Sequence, residues 1–235
     1  MRDDFFTFKQ FRVLHRKSIM KVGTDGVLLG AYVDCKNAKR ILDIGTGTGL
    51  LCLMLAQKSN ATIHGIDINA EAVEVAKFNV EQSKWRDRIE VFHSSVQDFS
   101  AEEKYDLIVS NPPFYTTDVV APEKGRALAR HDLSLNISEL SVAIDRLLSH
   151  DGRCFVIYPT EQCQHFEEAS AKLGLYAVSR LYVSSHPDTL PIRTIVELRR
   201  EKCEPQCDTL FIENGARHDF SEKYRLLTKD YYLKF

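Results

Sequence analysis

Arg40–Leu51, RILDIGTGTGLL, decides how the rest of the chain is read. Ile41, Leu42 and Ile44 form a short apolar, β-branched run that stops at Gly45, the pattern of a buried strand entering a glycine turn. Gly45, Gly47 and Gly49 alternate with Thr46 and Thr48 before the apolar run Leu50–Ala56, so the turn opens onto a helix. Backbone without Cβ atoms at such a helix N-terminus can approach a ligand closely.

The ligand is constrained by Asp43, two residues before the first glycine. A carboxylate there repels a pyrophosphate and attracts a ligand carrying an ammonium and a sulfonium. The spacing is GxGxG, without the GxGxxG of the dinucleotide fingerprint, so S-adenosylmethionine fits better than NAD. Working outward, Thr62–Ile68, TIHGIDI, ends a second strand at Asp67. That is about the 20-residue spacing at which an acidic residue grips ribose hydroxyls in such a unit. Asp67 alone could equally cap the helix that starts near Asn69; the glycine turn and Asp67 together point to a nucleoside site.

From Arg40 onward strands and helices alternate, which implies an α/β fold with a largely parallel sheet covered on both faces. Strands are expected at Arg40–Ile44, Ile63–Asp67, Ile89–His93, Tyr105–Ser110, Cys154–Tyr158, Tyr176–Ser184 and Thr194–Arg199. Helices are expected at Gly49–Lys58, Ala70–Lys84, Ser138–Ser149 and Glu161–Leu173. The last two strands are joined by HPDTLPI with no helix between them, so they run antiparallel. The expected architecture is a Rossmann-like, seven-stranded, mostly parallel sheet with an antiparallel final hairpin. Asp208–Ile212 offers a further edge strand, and the closing YYLKF is aromatic enough to dock back.

Ahead of this unit, Phe5–Lys21 alternates aromatic and basic residues in a two-residue rhythm, as in a strand or hairpin arm. KVGTDGVLLGAYV then offers Thr24 or Asp25 as the cap of a helix through Leu28, Leu29 and Tyr32. Residues 1–39 are thus an arm and cap helix on one domain spanning 1–235, with no internal repeat or linker. A chain of 235 residues with 44% hydrophobic residues buries a full core at that size. No apolar run is long enough to span a bilayer, and Asp3 and Asp4 are out of place in a leader segment, so a soluble, cytoplasmic protein is expected. The six cysteines lie mostly inside apolar segments, as buried free thiols do in a reducing compartment. Cys203 and Cys207 form a lone CxxxC with no second pair, so no metal is expected. The net charge of −2 leaves any polyanion to local basic patches.

A second chemical site stands at the end of the fourth expected strand. YDLIVSNPPFY delivers Asn111, Pro112, Pro113 and Phe114 at a carboxyl-terminal strand end, the rim where open α/β sheets bind ligands. Prolines could serve there only as a turn. The Asn111 side-chain oxygen and the Pro112 carbonyl are also acceptors for an amino group, and Phe114 offers a stacking face.

DIGTGTG, Asp67 and NPPF together resemble the class I S-adenosylmethionine-dependent methyltransferases that act on exocyclic amines of nucleobases or on glutamine side chains. FTFKQF, MKVGTDGVLLGAY, RALARHDLSL and KDYYLKF make the resemblance narrower, to the bacterial tRNA1(Val) adenine-37 N6-methyltransferases, over nearly the whole chain. The resemblance implies that Gly45 and Gly47 approach the methionine part of S-adenosylmethionine, that Asp43 orients the turn or the ammonium, and that Asp67 holds the ribose hydroxyls. It further implies that Ser95–Asp98 borders the adenine, chiefly through Val96 and Gln97, and that Lys21, Thr24 and Asp25 belong to a block flanking the cofactor. Asn111 stands between cofactor and target base. Lys124, Arg126, Arg130 and His131 cluster after NPPF as candidate tRNA contacts, with arginine suited to phosphate and base stacking. No obligate protein partner is evident. Rival acceptors are guanine N2 of ribosomal RNA, DNA adenine and protein glutamine; a non-catalytic RNA-binding protein of the same fold is a different class.

Overall fold

The structure is a computed structural model that describes residues 4–15, 21–113 and 136–235. Phe114, Lys124, Arg126, Arg130 and His131 lie outside the described residues. Strands β1 (Asp4–Thr7) and β2 (Arg12–His15) form a separate antiparallel hairpin. Helix α1 (Thr24–Tyr32) follows, then β3 (Arg40–Ile44), α2 (Leu50–Lys58), β4 (Thr62–Asp67), α3 (Ala70–Glu81), β5 (Ile89–His93) and β6 (Tyr105–Ser110). After the undescribed segment come α4 (Ile137–Leu147), β7 (Leu148–Pro159), α5 (Thr160–Ala171), β8 (Tyr176–Ser184), β9 (Arg193–Arg199), β10 (Gln206–Phe211) and α6 (Glu222–Thr228).

The main sheet has eight strands in the order β10-β8-β9-β7-β6-β3-β4-β5. Its pairs are parallel except where β9 is inserted between β7 and β8, running against both. The antiparallel hairpin is therefore present, but the sheet is one strand wider than the expected seven. The eighth strand, β10, overlaps the further edge strand offered by Asp208–Ile212 but starts at Gln206; its sequence QCDTLF buries only Leu210 fully, as befits an edge.

Three boundaries also move. β7 begins at Leu148 rather than Cys154, because α4 stops at Leu147 and the chain becomes extended at once. α3 ends at Glu81, short of the expected Lys84. α1 is capped by neither Thr24 nor Asp25: Gly23 is its N-cap and makes no side-chain cap bond, while Thr24 is already helical. α4, in contrast, starts with a capping box in which Asn136 accepts from the Glu139 amide and the Glu139 carboxylate accepts from the Asn136 amide.

Alternation along the central strands splits the core in two. Ile41, Leu107, Val109, Phe155 and Ile157 face α1 and α2. Leu42, Ile44, Ile108, Cys154 and Val156 face α4 and α5, through Leu140, Ile144 and Phe166. α2, LLCLMLAQK, is buried on nearly all sides, which explains why its first seven residues carry no polar side chain. Cys35, Cys52, Cys154 and Cys163 are buried free thiols, and Cys203 and Cys207 are exposed free thiols.

Both ends of the described chain meet beside α2. Lys9 Nζ donates to the carbonyls of Lys229 (2.6 Å) and Phe235 (2.5 Å). Phe8 stacks on Phe11 (ring centroids 4.6 Å apart) and on Tyr232 (6.0 Å), and Phe11 meets the edge of Trp85 at 5.9 Å. The Tyr231 hydroxyl donates to the Met54 carbonyl at 3.0 Å. The basic residue Arg12 lies over the Phe5 ring, 4.6 Å from its centroid.

Asn79 ties the β1–β2 hairpin to the main unit. Only 2% exposed, its Oδ1 accepts from the Leu14 amide (2.8 Å) and its Nδ2 donates to the Thr48 carbonyl in the glycine turn (2.9 Å). Asn79→Ala leaves a buried donor and a buried acceptor unsatisfied, so we expect a loss of roughly 2–3 kcal/mol of stability in urea unfolding. A loss under about 0.5 kcal/mol would show that the bridge contributes nothing net.

Candidate active site

The crevice that collects these residues follows from strand order. From β3 the chain goes to β4 and β5 on one side, then returns to β6 on the other, so the order of the strands reverses between β3 and β6 while all four stay parallel. Ligands of open α/β sheets bind at such a switch point, outside the carboxyl ends of the strands. The register pairs Ile44 with Ser110 on one side and with Ile66 on the other. The glycine turn, Asn111 and Asp67 thus leave three adjacent strands, spaced about 4.8 Å apart.

Gly45, Gly47 and Gly49 all have positive φ, at 74°, 55° and 79°. Gly49 is the N-cap of α2, and a Cβ there would sit 3.3 Å from Ala76 Cβ, so glycine also permits the close approach of α3. The amides of Gly45 and Thr46 donate to the Ile66 carbonyl, each at 2.9 Å, which fastens the turn to the end of β4. Gly47 N–H donates to Asp67 Oδ2 at 2.8 Å, and Asn69 N–H donates to Asp67 Oδ1 at 2.9 Å. Asp67 therefore holds both the turn and the start of α3. Its pKa is raised by burial, against the opposing pull of those amides. Asn69 caps α3 with its own side chain, so the helix does not depend on Asp67 for its N-cap bond.

Asp43 is completely buried. Its Oδ2 accepts from Thr46 Oγ1 at 2.7 Å and from Cys52 Sγ at 3.6 Å, while its Oδ1 has no partner among the described residues. Gly65, across the register from Asp43, makes room for this arrangement: a Cβ there would lie 2.8 Å from Thr46 Oγ1. Burial pushes the Asp43 carboxyl up to about 7, opposed by the Thr46 and Cys52 hydrogen bonds and reinforced by Asp67. An unpartnered carboxylate oxygen in a dry site is costly unless a cation or donor arrives to meet it.

Asn111, at the end of the neighbouring strand β6, presents the matching feature: its side-chain oxygen is buried and has no partner among the described residues. Ser110, just before it, donates from Oγ to the Ile44 carbonyl at 2.8 Å and so locks β6 to β3. α1 closes over the pair. Gly26 is buried, and a Cβ on it would lie 3.7 Å from Asn111 Nδ2 and 3.1 Å from Leu50 Cδ2.

The other sequence candidates fall around this centre. Val96 is buried and Gln97 exposed in the segment after β5. Arg146 of α4 fixes that segment, donating to the carbonyls of Val96 (2.7 Å) and Phe99 (2.6 Å). Lys21 and Thr24 are exposed at the approach to α1. Pro112 and Pro113 follow Asn111, and the cluster Lys124, Arg126, Arg130 and His131 is outside the described residues. Thr46, Cys52, Asn79 and Arg146 are supporting residues that sequence reasoning missed. So is Ile68, which is 46% exposed immediately after Asp67 and offers an apolar face at the crevice. Asn79 and Arg146 depend on partners distant in sequence, whereas Thr46 and Cys52 meet Asp43, three and nine residues away, only once the turn and helix are folded. Among the described residues there is no group of three His, Cys, Asp or Glu that could hold a metal ion, and no helix long and apolar enough to cross a membrane.

Asp43 gives the site a pH dependence. Its folded-state pKa is raised, so protonated Asp43 favours the fold: that contribution is complete below its ordinary value of 3.8 and is lost as the pH rises through about 7. A cationic ligand selects the ionised form and reverses the preference. Calorimetric titration with S-adenosylmethionine should therefore show affinity rising with pH up to about 7 and then levelling. The difference between the wild type and Asp43→Asn should reach about tenfold per pH unit below that point. Parallel profiles for the two proteins would exclude Asp43 from ligand binding.

Comparison with known proteins places the chain in a family. The model of the methyltransferase small domain matches residues 18–133, which span α1, the glycine turn, Asp67 and NPPF. Among solved structures, the fold is similar to the Agrobacterium tumefaciens protein Atu636, a predicted O-methyltransferase, with a TM-score of 0.67 at 16% identity over 88% of this chain and 96% of that one. It is also similar to the ribosomal protein L11 methylase of Lactobacillus delbrueckii subsp. bulgaricus, with a TM-score of 0.53 at 18% identity over 75% and 78%. At those identities the likeness is one of fold. Sequence relatives go further. The tRNA1(Val) (adenine(37)-N6)-methyltransferase of Phocaeicola vulgatus is 43% identical over 99% of both chains. The proteins of the same name from Bacteroides thetaiotaomicron and Trichodesmium erythraeum are 41% identical over 99% of both chains and 42% over 98% of both. The chain belongs to the tRNA1(Val) (adenine(37)-N6)-methyltransferase family.

Proposed function

We propose that this protein transfers a methyl group from S-adenosylmethionine to the N6 amine of an adenine in tRNA, at position 37 of tRNA1(Val) as its relatives are named. The observation that carries the reading is a pair of buried oxygens, Asp43 Oδ1 and Asn111 Oδ1, with no partner among the described residues, on the adjacent strands that frame the glycine turn. One suits a cationic donor and the other an amine-bearing acceptor, and β3 and β6 hold them on adjacent strand ends. A cytoplasmic location is part of the same reading.

The residues present fit the donor. Asp43 Oδ1, buried and without a partner among the described residues, would meet the ammonium, Gly45 and Gly47 leave no Cβ in the way, and Asp67 would hold the ribose hydroxyls. Ile68 and Val96 are apolar surfaces for the adenine, with Gln97 beside them. Lys21 and Thr24 would flank the donor from the start of α1. When bound, S-adenosylmethionine supplies a methyl group on a sulfonium.

On the acceptor side, the N6 lone pair of adenine is delocalised into its ring and is a poor nucleophile until its hydrogens are held in place. Asn111 Oδ1 and the Pro112 carbonyl accept those two hydrogens. Pro113 shapes the turn that presents them, and Phe114 stacks on the extruded base. Fixing the nitrogen in line with the methyl group supplies most of the rate, without a strong base. The proton leaves from the methylated nitrogen to solvent. Lys124, Arg126, Arg130 and His131, with the basic residues of the arm, are the proposed tRNA contacts.

The decisive assay is transfer of tritiated methyl from S-adenosylmethionine into separate tRNA, ribosomal RNA, DNA and protein fractions, followed by nucleoside analysis. Label appearing as N6-methyladenosine in tRNA alone is the expected result. Label in another fraction would assign the same chemistry to a different acceptor.

A further inference from the structure

We propose that the Asp25–Arg193 ion pair positions the acceptor amide of Asn111, acting through the first turn of α1. This inference rests on the methyl-transfer reading above and adds to it a support that lies 82 residues after Asn111 in the chain.

Arg193 opens β9, where it stands opposite Pro159 at the carboxyl end of β7 and opposite Val183 of β8. This is the same edge of the sheet as the crevice. Its base is fixed: Ile192 N–H donates to the Val183 carbonyl at 2.8 Å, and Thr194 Oγ1 donates to Thr160 Oγ1 at 3.2 Å. From that anchored base, Arg193 Nε reaches Asp25 Oδ2 at 2.8 Å. The next residue in α1 is Gly26, whose missing side chain lets the helix backbone close on the Asn111 amide and on Leu50.

The two ends of α1 differ in a telling way. Lys58 of α2 holds the C-terminal end by donating to the carbonyls of Ala31 (3.0 Å) and Val33. The N-terminal end has no side-chain cap, since Gly23 provides none. The lateral tether from β9 holds that end from the side, in addition to the packing of Gly26 and Val27, and that end is the one facing Asn111. The paired side chains are 26% and 29% exposed, so the pair adds little to global stability. Its value is geometric: methyl transfer tolerates little misplacement, and a shift of about 1 Å can cost up to a hundredfold in rate. With one carboxylate oxygen engaged by Arg193, Asp25 acts in this proposal as a positioning residue rather than as a ligand of the donor.

The test uses the full chain carrying Asp25→Asn, Arg193→Gln, the two together, or Arg193→Lys. Single-turnover methyl transfer to tRNA is measured at saturating S-adenosylmethionine, beside calorimetric affinity for S-adenosylmethionine and thermal melting. Each single variant should slow transfer about tenfold while affinity changes by less than about twofold. The double variant should fall no further than either single one, because the two residues act as a unit. Arg193→Lys should restore most of the rate. Unchanged rates in the single variants, with the wild type active on tRNA, overturn the inference and leave the functional reading intact. Loss of affinity matching the loss of rate also overturns it, by placing Asp25 in the donor site. A wild type that binds S-adenosylmethionine but methylates no tRNA overturns the functional reading, and the inference with it.

Discussion

Asn111→Ala is expected to lower single-turnover methyl transfer by about a thousandfold or more while leaving affinity for S-adenosylmethionine within a few-fold. The asymmetry follows from where the side chain stands. Its buried oxygen has no partner among the described residues, so truncation breaks no internal hydrogen bond through that atom and should disturb the donor side little. The target amine, however, loses the acceptor that holds it in line. Removing one preorganised hydrogen-bonding group at a reacting centre typically costs about 10²–10³ in rate, and lost orientation adds to that. Equal loss of binding and transfer would move Asn111 into the donor site. Asn111→Asp is a useful companion, because it keeps the acceptor but adds a charge beside a cationic methyl donor. It should retain more activity than alanine.

Asp67→Ala carries the second large effect, on affinity. The carboxylate would hold two ribose hydroxyls, and a hydrogen bond to a charged group is worth about 1.5–3 kcal/mol, so the dissociation constant for S-adenosylmethionine should rise roughly a hundredfold. Part of that comes from the turn itself, since Gly47 loses the acceptor of its amide. Asp67→Asn separates the contributions: it keeps an acceptor for Gly47 N–H but removes the charge, and should fall between wild type and alanine. Calorimetry on the three proteins decides it. An alanine variant that binds as tightly as wild type would leave Asp67 with only its structural role at the start of α3.

These expectations were open to sequence reasoning because their signals are local. Three glycines spaced by threonines, an aspartate about 20 residues on, and NPPF at a strand end can each be read within a dozen residues. The supports around them are harder to read, some because the fold must turn them and some because their partners are far off in the chain. Thr46 and Cys52 read as turn and helix residues until the fold turns both toward Asp43. Asn79 looks like an ordinary polar residue of α3, and its meaning comes from Leu14, 65 residues away. Arg146 is a charge near the end of α4 until its guanidinium is seen on the carbonyls of Val96 and Phe99. β10 was legible only in outline: Asp208–Ile212 offered an edge strand, but a half-solvated strand with Cys, Asp and Thr has too little pattern to fix its start at Gln206. The cap of α1 misled because Thr24 and Asp25 are both good capping residues, yet Asp25 is engaged by Arg193 instead.

The meeting of the two chain ends has a consequence for assembly and for observing it. Lys9 and Phe235 are 226 residues apart in sequence, so their contact closes nearly the largest loop the chain can make and, being entropically expensive, belongs late in folding. The chain's single tryptophan, Trp85, lies against Phe11 in the same aromatic group. Its fluorescence is therefore a built-in clock for that closing event, while far-ultraviolet circular dichroism follows the earlier formation of helices and sheet. A lag between the two signals in stopped-flow refolding would time the moment at which the arm is latched.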